Sequence, residues 1–587
     1  MKALYQEVIQ INQMADNKEK EDRAGSFFAK LNNMEMPAHF NWVSEVFEGL
    51  HVKNTPDKTA LVWHDIHTGE KKTFSYLDLS QKAGQLVNFL AQNQVGHTHN
   101  MYMMAPVLPE IWIAGIACIK AGIVAVPTAT TMTPREMEYR FETYKPDVVL
   151  ADEASAELID QAAQQTGIHP KVKLVLGTRE GWTGFDEINT QSTKARAAAT
   201  RSDDILFCFF TSGTTGLPKR VGHTALSYPV GHLSTTVIIG TQPDDIHHNL
   251  SAPGWAKWSW SSFFVPFNVG ATVTAFAFSS LDPALYLKAL EQHRVTTFCA
   301  PPTAWRMFVN TDLSGFDLSC LRQSISAGEP LNPDVITRWK NHTNTRIRDF
   351  YGQTESTAMI GNAPWMVENM RSGSFGKPIP MYDVTLADDE GNEIHIPDTV
   401  GHIVVKLDRW RGIGLFCEYI GNPEKMSAVF VDNFYYTGDR ASFDADGFWW
   451  FVGRADDVIK SSDFRIGPFE VESALVEHPA VAEAAVVGAP DPQRYQLVKA
   501  YVILNQGVAP SRDLALDLFR HTTNILAKFK IPRIIEFVTE VPKTISGKIR
   551  RIELREMSAS PSDPPGQGQI TEYCYWDFPE LSSKKKQ

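Results

Sequence analysis

Features that define several other classes of protein are missing from this sequence of 587 residues. Its six cysteines are scattered and form neither a Cys-x-x-Cys pair nor the spacing of a zinc site. The first forty residues mix acids with bases and lack the apolar run of a signal peptide. The most apolar stretch, Ile111 to Thr128, is interrupted by Lys120 and Gly122, which is typical of a buried helix running into a strand rather than of a membrane span. We therefore expect a reduced, cytoplasmic protein.

Basic charge is also scarce. The chain has 56 Lys and Arg residues against 68 Asp and Glu residues, which gives a formal net charge of -12. Proteins that bind nucleic acid normally carry a clustered excess of Lys and Arg, so this balance argues against that class. Small anionic ligands are not excluded, because their binding depends on the charge close to the site.

The length and composition predict a folded protein with more than one domain. Hydrophobic residues make up 43% of the chain, enough for a large interior, and domains typically contain about 100–200 residues. Short apolar runs alternate with amphipathic segments, which is the pattern of an α/β protein. We predict a large amino-terminal region of sheets layered with helices, residues 1–455, and a small α+β domain, residues 456–557.

The last part of the chain, residues 558–587, differs in composition. It is rich in Ser, Pro and Gly and contains three consecutive lysines next to its final residue. This composition predicts a flexible tail. Four aromatic side chains offer the alternative that the tail docks on the surface: Tyr573, Tyr575, Trp576 and Phe578.

Polar loops follow three of the predicted strands. The apolar run 205–210 leads into the loop 211–219, the run 324–326 leads into 327–330, and the run 346–350 leads into 351–355. Open α/β sheets bind their ligands at the carboxyl ends of the strands. The three loops therefore predict one shared binding site.

The first of these loops has the chemistry of a phosphate-binding segment. Its glycines let backbone N–H groups approach an anion, its hydroxyls donate hydrogen bonds, and its lysine adds positive charge. The alternative, a hydroxyl-rich linker, fits poorly with a position directly after a buried strand, and the Walker pattern is absent. The loop consists of Thr211, Ser212, Gly213, Thr214, Thr215, Gly216, Leu217, Pro218 and Lys219.

Further motifs follow in a fixed order. With the loop they are Thr211–Lys219, Tyr351–Glu355, Tyr436–Asp439, Gly453–Asp457 and Pro542–Lys548. In this order the chain, from about Asn41 to about Arg555, resembles the adenylate-forming superfamily of acyl-CoA synthetases, non-ribosomal peptide adenylation domains and firefly-type luciferases. The segments 326–333 and 465–472 are similar to the medium-chain acyl-CoA synthetase branch.

The resemblance implies a reaction in two steps. A carboxylate attacks the α-phosphate of ATP and releases pyrophosphate, and the thiol of CoA then attacks the acyl adenylate and releases AMP. Two anions meet in the first step, so its barrier is chiefly one of charge and position. The resemblance assigns the magnesium ligand to Glu355, with Thr354 beside it, and the mobile catalytic lysine to Lys548. Outside its motif, Glu355 would fit a capping or surface acid as well as a metal ligand, and Lys548 would be interpreted as a solvated lysine.

The resemblance also implies the contacts with ATP. The loop 211–219 would hold the β- and γ-phosphates, Asp439 would accept hydrogen bonds from the ribose hydroxyls, and Arg454 would contact ribose or phosphate. Arg465 and Lys548 would contact phosphate in the first step. The implied adenine-binding residues are Gly328, Glu329, Pro330, Asp349, Phe350, Tyr351, Gly352, Gln353 and Thr354.

For the second step, the resemblance implies that the small domain rotates about a hinge at Asp456. The implied CoA-binding residues are Ser462, Asp463, Phe464, Arg465 and Arg494. Asp463 stands where many relatives have Gly. An alternative in which the acyl group passes to a carrier protein therefore stays open.

The choice of acid is also implied by comparison with the family. Gly352 stands where acetyl-CoA synthetases have the Trp that closes their acyl pocket, so an acid larger than acetate (medium-chain, branched or cyclic) is expected. The segment 249–267 contains no acidic residue that could anchor the ammonium group of an amino acid. Trp255 is expected in the pocket wall, whereas Trp258 and Trp260 fit the core equally well.

The expected substrates are therefore a small carboxylic acid, ATP with Mg²⁺, and CoA. A homo-oligomer is compatible with the sequence. An alternative from a different class is a nucleotide-binding regulatory protein with an inactive site. The joint presence of Glu355, Asp439, Arg454 and Lys548 argues against it, because decay of a site usually removes a catalytic group first.

Overall fold

The computed structural model describes residues 1–211, 218–462, 464–543, 548–559 and 572–582. The chain divides into two compact units, the first containing Met1–Val384 and Val405–Tyr435 and the second Thr385–Val404 and Tyr436–Gln587. The predicted α/β class, with a smaller α+β part towards the carboxyl terminus, is confirmed. The second unit starts before the predicted boundary at Asp456, and that boundary remains a prediction about where the chain bends.

The α-helices are distributed along the whole described chain. They are α1 (Lys2–Gln13), α2 (Asn17–Asn32), α3 (Tyr76–Gln92), α4 (Pro109–Ala121), α5 (Pro134–Thr143), α6 (Glu153–Thr166), α7 (Ser227–Ile239), α8 (Ala256–Trp258), α9 (Val265–Val269), α10 (Pro283–Gln292), α11 (Pro302–Val309), α12 (Pro333–Thr343), α13 (Pro423–Val429), α14 (Pro468–Val476), α15 (Arg512–Ile525), α16 (Arg551–Ala559) and α17 (Pro579–Ser582). Wider, π-type turns occur at Val43–Val52 and Ser259–Phe264.

The strands alternate with these helices through most of the chain. They are β1 (Thr59–Asp65), β2 (Lys71–Ser75), β3 (Asn100–Met104), β4 (Val124–Pro127), β5 (Val148–Asp152), β6 (Val172–Leu176), β7 (Thr183–Gly184), β8 (Ile205–Thr211), β9 (Lys219–Thr224), β10 (Ile246–Asn249), β11 (Thr272–Ala277), β12 (Thr297–Ala300), β13 (Gln323–Ala327), β14 (Ile347–Gly352), β15 (Ala358–Gly361), β16 (Lys377–Pro378), β17 (Asp383–Ala387), β18 (Glu393–Ile394), β19 (Gly401–Lys406), β20 (Glu418–Tyr419), β21 (Phe430–Val431), β22 (Phe434–Phe443), β23 (Trp449–Arg454), β24 (Ile459–Ser461), β25 (Phe464–Ile466), β26 (Val481–Asp491), β27 (Tyr495–Leu504), β28 (Ile534–Phe537) and β29 (Glu572–Cys574).

The first unit is built on mixed sheets with parallel centres. One sheet has the order β16–β15–β14–β13–β12–β10–β11–β1–β2, and its strands from β14 to β1 run parallel. Another has the order β20–β9–β8–β4–β3–β5–β6–β7, and its strands from β8 to β7 run parallel. Parallel neighbours need crossover connections, and the intervening helices supply many of them.

Local sequence signals explain several helix ends. At the start of α3, the side chain of Ser75 accepts a hydrogen bond from the backbone amide of Asp78, and the side chain of Asp78 accepts one from the backbone amide of Ser75. Thr133 and Glu136 form the same reciprocal cap at the start of α5. Helix α4 ends at Gly122, whose φ of 71° lies in the left-handed region that glycine adopts without strain. The predicted helix and strand between Ile111 and Thr128 are α4 and β4.

Aromatic packing fixes the strands that carry the site. The rings of Trp305 on α11 and Trp339 on α12 meet edge to face, with centroids 4.7 Å apart. Trp305 donates its indole N–H to the carbonyl of Ile325, and Trp339 donates to the hydroxyl of Ser324. Both helices are thereby tied to β13 as well as packed against it, and large buried aromatic groups of this kind contribute strongly to stability.

The second unit contains a sheet of order β25–β24–β27–β28–β29, with β26 beside β27. Helices α14 and α15 cover it around a core that includes Val471, Val486, Phe519, Ile535 and Phe578. Earlier in the same unit, β22 and β23 form an antiparallel pair.

The flexible tail predicted for residues 558–587 is wrong for its described part. Residues 558 and 559 finish α16, and residues 572–574 form β29, which pairs antiparallel with β28. Phe578 is 1% exposed and lies in the core of the unit. The aromatic side chains overcome the unfavourable composition because burying them removes a large apolar area from water.

Within the described ranges, no helix is both long enough and apolar enough to cross a membrane.

Candidate active site

The carboxyl edge of the first sheet brings together two of the predicted loops. Strands β13 and β14 are parallel neighbours, with Ala327 opposite Phe350. The loop that starts at Gly328 and the motif that ends at Glu355 therefore leave the sheet side by side. Gly328 has a φ of 109°, a backbone conformation that side chains other than glycine rarely adopt.

The loop predicted to bind phosphate starts from the other sheet. It connects the antiparallel strands β8 and β9, and Thr211 and Lys219 face each other at its base. Ser212, Gly213, Thr214, Thr215, Gly216 and Leu217 lie outside the described residues. Strand β9 also pairs with β20, where Val221 lies opposite Tyr419.

Tyr419 connects the loop lysine with the predicted metal ligand. Its hydroxyl donates a hydrogen bond of 2.8 Å to Oε1 of Glu355. The ammonium of Lys219 lies 4.8 Å from the centre of the same tyrosine ring, which is a cation–π distance. Lys219 and Glu355 therefore contact the same side chain, Lys219 at the ring and Glu355 at the hydroxyl.

Backbone contacts hold the same motif in place. The imidazole Nε2–H of His223 on β9 donates to the carbonyl of Thr354 at 2.7 Å, and the amide of Phe416 donates to the carbonyl of Glu355 at 2.8 Å. Burial lowers the pKa of His223 to about 4, so its ring is neutral at physiological pH. This histidine therefore positions Thr354 rather than supplying charge.

Glu355 fits the part of a magnesium ligand that shares the ion with a nucleotide. Mg²⁺ is commonly bound by one or two carboxylates together with substrate phosphates. Glu355 offers such a carboxylate, half-buried and oriented by Tyr419. Among the described residues, no group of three or more His, Cys, Asp or Glu side chains is placed to hold a metal ion. A single carboxylate such as that of Glu355 suits an ion whose other ligands are substrate phosphates and water.

The segment predicted to bind adenine has a buried base and an accessible end. Asp349 is buried, and burial raises the pKa of its carboxyl well above the usual range. Its Oδ1 accepts a hydrogen bond of 3.0 Å from the amide of Phe350. Tyr351, Gly352 and Gln353 are only half-buried. Asp349 thus supports the segment from within, and the accessible surface belongs to the three residues after Phe350.

Gly352 faces an indole ring from another element. A Cβ atom at Gly352 would lie 2.4 Å from the carbonyl oxygen of Thr357 and 3.0 Å from Cη2 of Trp260. The indole N–H of Trp260 donates a hydrogen bond of 2.9 Å to the hydroxyl of Tyr228. A Cβ atom at position 352 would therefore clash with the backbone of Thr357 and meet a tryptophan ring that Tyr228 holds in place.

The other two tryptophans of that segment lie differently. Trp255 is half-buried just before α8, as a wall residue would be. Trp258 is buried against Trp112, with ring centroids 4.8 Å apart. Trp258 therefore belongs to the core.

In the second unit, the predicted ribose contacts are neighbours. Asp439 on β22 lies directly opposite Arg454 on β23. Gly438, with a φ of 80°, accepts a hydrogen bond from the amide of Ala455, and Arg454 lies 3.5 Å from the carboxylate of Asp456. Asp439, Arg454 and the predicted hinge thus form one compact group.

Most residues predicted to bind CoA also lie together. The amide of Ser462 donates to the carbonyl of Arg494 at 2.8 Å, and Arg465 projects from the adjacent strand β25. Phe464 stacks on Phe529, with centroids 4.2 Å apart. Asp463 lies outside the described residues.

Lys548 is exposed in the second unit, directly before Ile549, which bridges back to Lys543. Residues 544–547 of its motif lie outside the described residues.

Three aromatic residues near these groups were not predicted from the sequence. Tyr419 orients Glu355, Phe529 stacks on Phe464, and Tyr495 pairs with Ser461 and is 71% exposed. No local pattern marks Tyr419 or Phe529. Tyr495, which directly follows Arg494, is the one of the three whose position in the sequence could have suggested a role in binding.

An α/β unit with predicted nucleotide-binding loops at the carboxyl edge of its sheet, followed along the chain by a small α+β unit that carries the exposed Lys548, is the arrangement expected of an enzyme that activates acids with ATP. Two family models agree with this class: an AMP-binding enzyme model matches residues 50–410, and the model of the AMP-binding enzyme C-terminal domain matches residues 470–548. The chain belongs to the AMP-binding enzyme family, and within it to the AMP-forming ligases that convert an acid to its CoA thioester.

Individual relatives cover most of the chain. It is 51% identical over 518 residues to 4-hydroxybutyrate–CoA ligase 1 of Metallosphaera sedula, across 88% of this chain and 90% of the relative. It is 37% identical over 531 residues to the human mitochondrial acyl-coenzyme A synthetase ACSM3, across 89% of this chain and 90% of the relative. The crystal structure of the anthranilate CoA ligase AuaEII in complex with anthranoyl-AMP matches with a TM-score of 0.81 and 30% identity, over 89% of this chain and 99% of that one.

Proposed function

We propose that this ligase activates a short-chain carboxylic acid, larger than acetate and about the size of hydroxybutyrate. The observation that carries the proposal is the position of Trp260, whose ring lies against Gly352 and is held there by Tyr228. Glycine at position 352 opens the pocket beyond acetate, and Trp260 limits how far a chain can extend. The similarity to a ligase named for 4-hydroxybutyrate supports an acid of this size.

The first step joins two anions, and we propose that charged groups of the chain position them. Lys219 and the loop 211–219 would bind the β- and γ-phosphates, and Glu355 would hold the magnesium ion. When bound, Mg²⁺ neutralises charge on the phosphates. The ammonium of Lys548 lies between the carboxylate and the α-phosphate while the new O–P bond forms and pyrophosphate leaves. A flexible point charge suits this role.

For the nucleotide, we propose that Asp439 accepts the ribose hydroxyls and that Arg454 lies beside them. Gly328, Glu329 and Pro330 would border the adenine, opposite the segment 351–353. The segments 328–330 and 351–353 are both accessible at the ends of strands β13 and β14.

In the second step, the sulfur of CoA bonds to the acyl carbon, AMP leaves and the thiol proton passes to water. We propose that the face of Ser462, Phe464, Arg465, Arg494 and Phe529 receives the nucleotide end of CoA. Aromatic rings stack on adenine and arginines contact phosphate, and both kinds of group are exposed on this face. Rotation at Asp456 would move Lys548 away from the acyl adenylate and bring this CoA-binding face towards it.

Three finer expectations from the sequence belong to the same proposal. Mg²⁺ is the metal ion, the location is cytoplasmic, and a homo-oligomer remains compatible with the chain. Transfer to a carrier protein is the competing second step, because Asp463 stands where many relatives have Gly.

The proposal is tested with a panel of acids from acetate to octanoate, together with 4-hydroxybutyrate and benzoate. Each acid is incubated with ATP and Mg²⁺, with and without CoA, and AMP, ADP and thioester are measured. We expect AMP and thioester, with the highest kcat/KM for acids of about four carbons, since each buried methylene contributes about 0.8 kcal/mol until the wall is reached. Formation of ADP would contradict the mechanism, and AMP without thioester would favour the carrier-protein alternative.

The role of Trp260 has its own test. In Trp260→Leu, the ratio of kcat/KM for hexanoate to that for butyrate is expected to rise by about fourfold per added methylene, because the smaller side chain lengthens the pocket. Trp258→Leu removes an indole from the same segment but from the core, so its acid profile should match the original. An unchanged profile in Trp260→Leu would show that Trp260 does not limit the acid.

A further inference from the structure

An ion-pair network around two buried carboxylates links the predicted hinge with the segment that follows the catalytic lysine motif. Asp457 is the residue directly after Asp456, and it is buried. Arg555 donates a hydrogen bond of 2.6 Å to its Oδ1, and Arg551 approaches its Oδ2 at 3.7 Å. Both arginines are on α16, so one carboxylate receives two side chains of the same helix.

A second carboxylate fixes the same helix to the unit. Arg551 donates to both oxygens of Glu472 on α14, at 2.7 and 2.8 Å. Oε1 of Glu472 also accepts the backbone amide of Val486 at 2.8 Å. Glu472 is buried, and charge-assisted hydrogen bonds between such groups are short and directional. Helix α16 is therefore held in one orientation relative to Asp457.

The helix is also close to Lys548 along the chain. Lys548 stands three residues before Arg551. Between them, the amide of Arg550 donates to the carbonyl of Pro542 at 2.8 Å, and Ile549 bridges to Lys543. The start of the Lys548 motif is thus hydrogen-bonded to the residues that follow the motif, and the chain continues from them directly into the anchored helix α16.

We propose that Asp457 is a positioning residue that makes the hinge and the Lys548 segment move as one body. The proposal rests on the role of Lys548 in the first step given above. Rotation at Asp456 can place the ammonium of Lys548 only if the path from the hinge to the lysine is stiff. The two arginines on Asp457 provide that stiffness at the first residue beyond the hinge.

The proposal separates the two half-reactions. Formation of the adenylate requires Lys548 in place, whereas attack of the thiol on a ready-made adenylate does not. A misplacement of about 1 Å in a reacting arrangement can reduce a rate by about a hundredfold. Loss of the Asp457 carboxylate should therefore slow the first step and leave the second nearly unaffected.

The experiment compares the half-reactions in Asp457→Asn. Pyrophosphate exchange measures adenylation, and thioester formation from supplied acyl adenylate and CoA measures the second step. We expect kcat for adenylation to fall by about tenfold or more with KM for ATP almost unchanged, and the second step to stay within about threefold. Asp457→Glu, which keeps the charge, should recover part of the loss.

A matched control uses another ion-paired aspartate of the same unit. Asp517 pairs with His478 at 3.1 Å, and its side chain is 66% exposed. Asp517→Asn should leave both half-reactions unchanged. If Asp457→Asn does not fold, Arg555→Ala decides, because Arg555 is only partly buried and its variant should show the same selective loss.

Lys548→Ala, measured in parallel, distinguishes a failure of the proposed role of Lys548 from a failure of the positioning role of Asp457. If Lys548→Ala retains adenylation, the proposed role of Lys548 is wrong. If Lys548→Ala loses adenylation while Asp457→Asn and Arg555→Ala retain it, the positioning role of Asp457 is overturned. An equal fall of both half-reactions in the Asp457 variant also overturns it, since the network would then support only the fold of the unit.

Discussion

At the scale of single residues, the most informative contact is that of Tyr419 with Glu355. Two functions meet in this side chain, because its hydroxyl orients the carboxylate and its ring lies beneath the ammonium of Lys219. Hydrogen bonds to charged groups contribute about 1.5–3 kcal/mol. Tyr419 therefore helps to set the direction in which Glu355 presents its free oxygen.

Removing only the hydroxyl should weaken the use of Mg²⁺. In Tyr419→Phe, the Mg²⁺ concentration needed for half-maximal pyrophosphate exchange is expected to rise by about tenfold, since Glu355 loses its orienting donor while the ring stays near Lys219. Tyr435→Phe is the matched control, because Tyr435 donates to Gln353 in the same motif at 3.1 Å. A Mg²⁺ requirement that rises equally in both variants would contradict a specific role for Tyr419.

At the scale of secondary-structure elements, the chain after α16 shows how packing overrides composition. Strand β29 extends the sheet of the second unit, and Phe578 fills a position in its core. The guanidinium of Arg512 lies 4.5 Å from the centre of the Phe578 ring and closes over it. The docked segment is thus part of the hydrophobic interior of the unit.

Truncation of that ring should destabilise the second unit. Phe578→Ala is expected to lower its free energy of unfolding by about 3 kcal/mol, because a buried aromatic ring is replaced by a cavity. Trp576→Ala removes a larger ring two residues earlier, but Trp576 is 61% exposed and its loss should have little effect. Urea unfolding of both variants is the measurement. Equal stability of the two would mean that the segment is not docked in solution.

At the scale of the whole molecule, the interior of the first unit is rich in neutral histidines. Burial lowers the pKa of His51, His223 and His247 to about 4 and that of His248 to about 3, and it also holds the pKa of His232 well below its usual value. Each ring would have to lose buried contacts or accept an uncompensated charge on protonation. The stability of the unit is therefore expected to change with pH even in the mildly acidic range, above the pH at which proteins usually denature in acid.

The sign of this dependence follows from proton binding. Between about pH 4.5 and 6.5 these histidines bind protons in the unfolded chain but not in the folded one, so stability falls as the pH falls, by up to about 1.4 kcal/mol per pH unit for each histidine. Asp349, whose pKa is raised, acts in the opposite direction. Urea unfolding at pH 5, 6 and 7.5 checks the slope of stability against pH. The histidine contribution to the slope should vanish above pH 7, and His248→Gln should reduce it by about the contribution of one histidine. A flat profile from pH 5 to 7 would contradict it.

The order of motifs, the α/β class and the helix–strand pair between Ile111 and Thr128 could be predicted from the sequence, because each depends on residues close together along the chain. Hydrophobic periodicity and glycine placement are local signals. The docked tail was mispredicted for the same reason, since its composition is local and its burial is not.

The arrangement of the site depended on the tertiary structure. Tyr419 reaches Glu355 across 64 residues, and Arg555 reaches Asp457 across 98. Gly352 indicated an open pocket, whereas in the structure this glycine packs closely against the carbonyl of Thr357 and the ring of Trp260, which comes from a different element. The sequence by itself determined which chemical groups the protein has and in what order. Only the folded sheets decided which of them meet, because strand pairing joins segments that no local pattern connects.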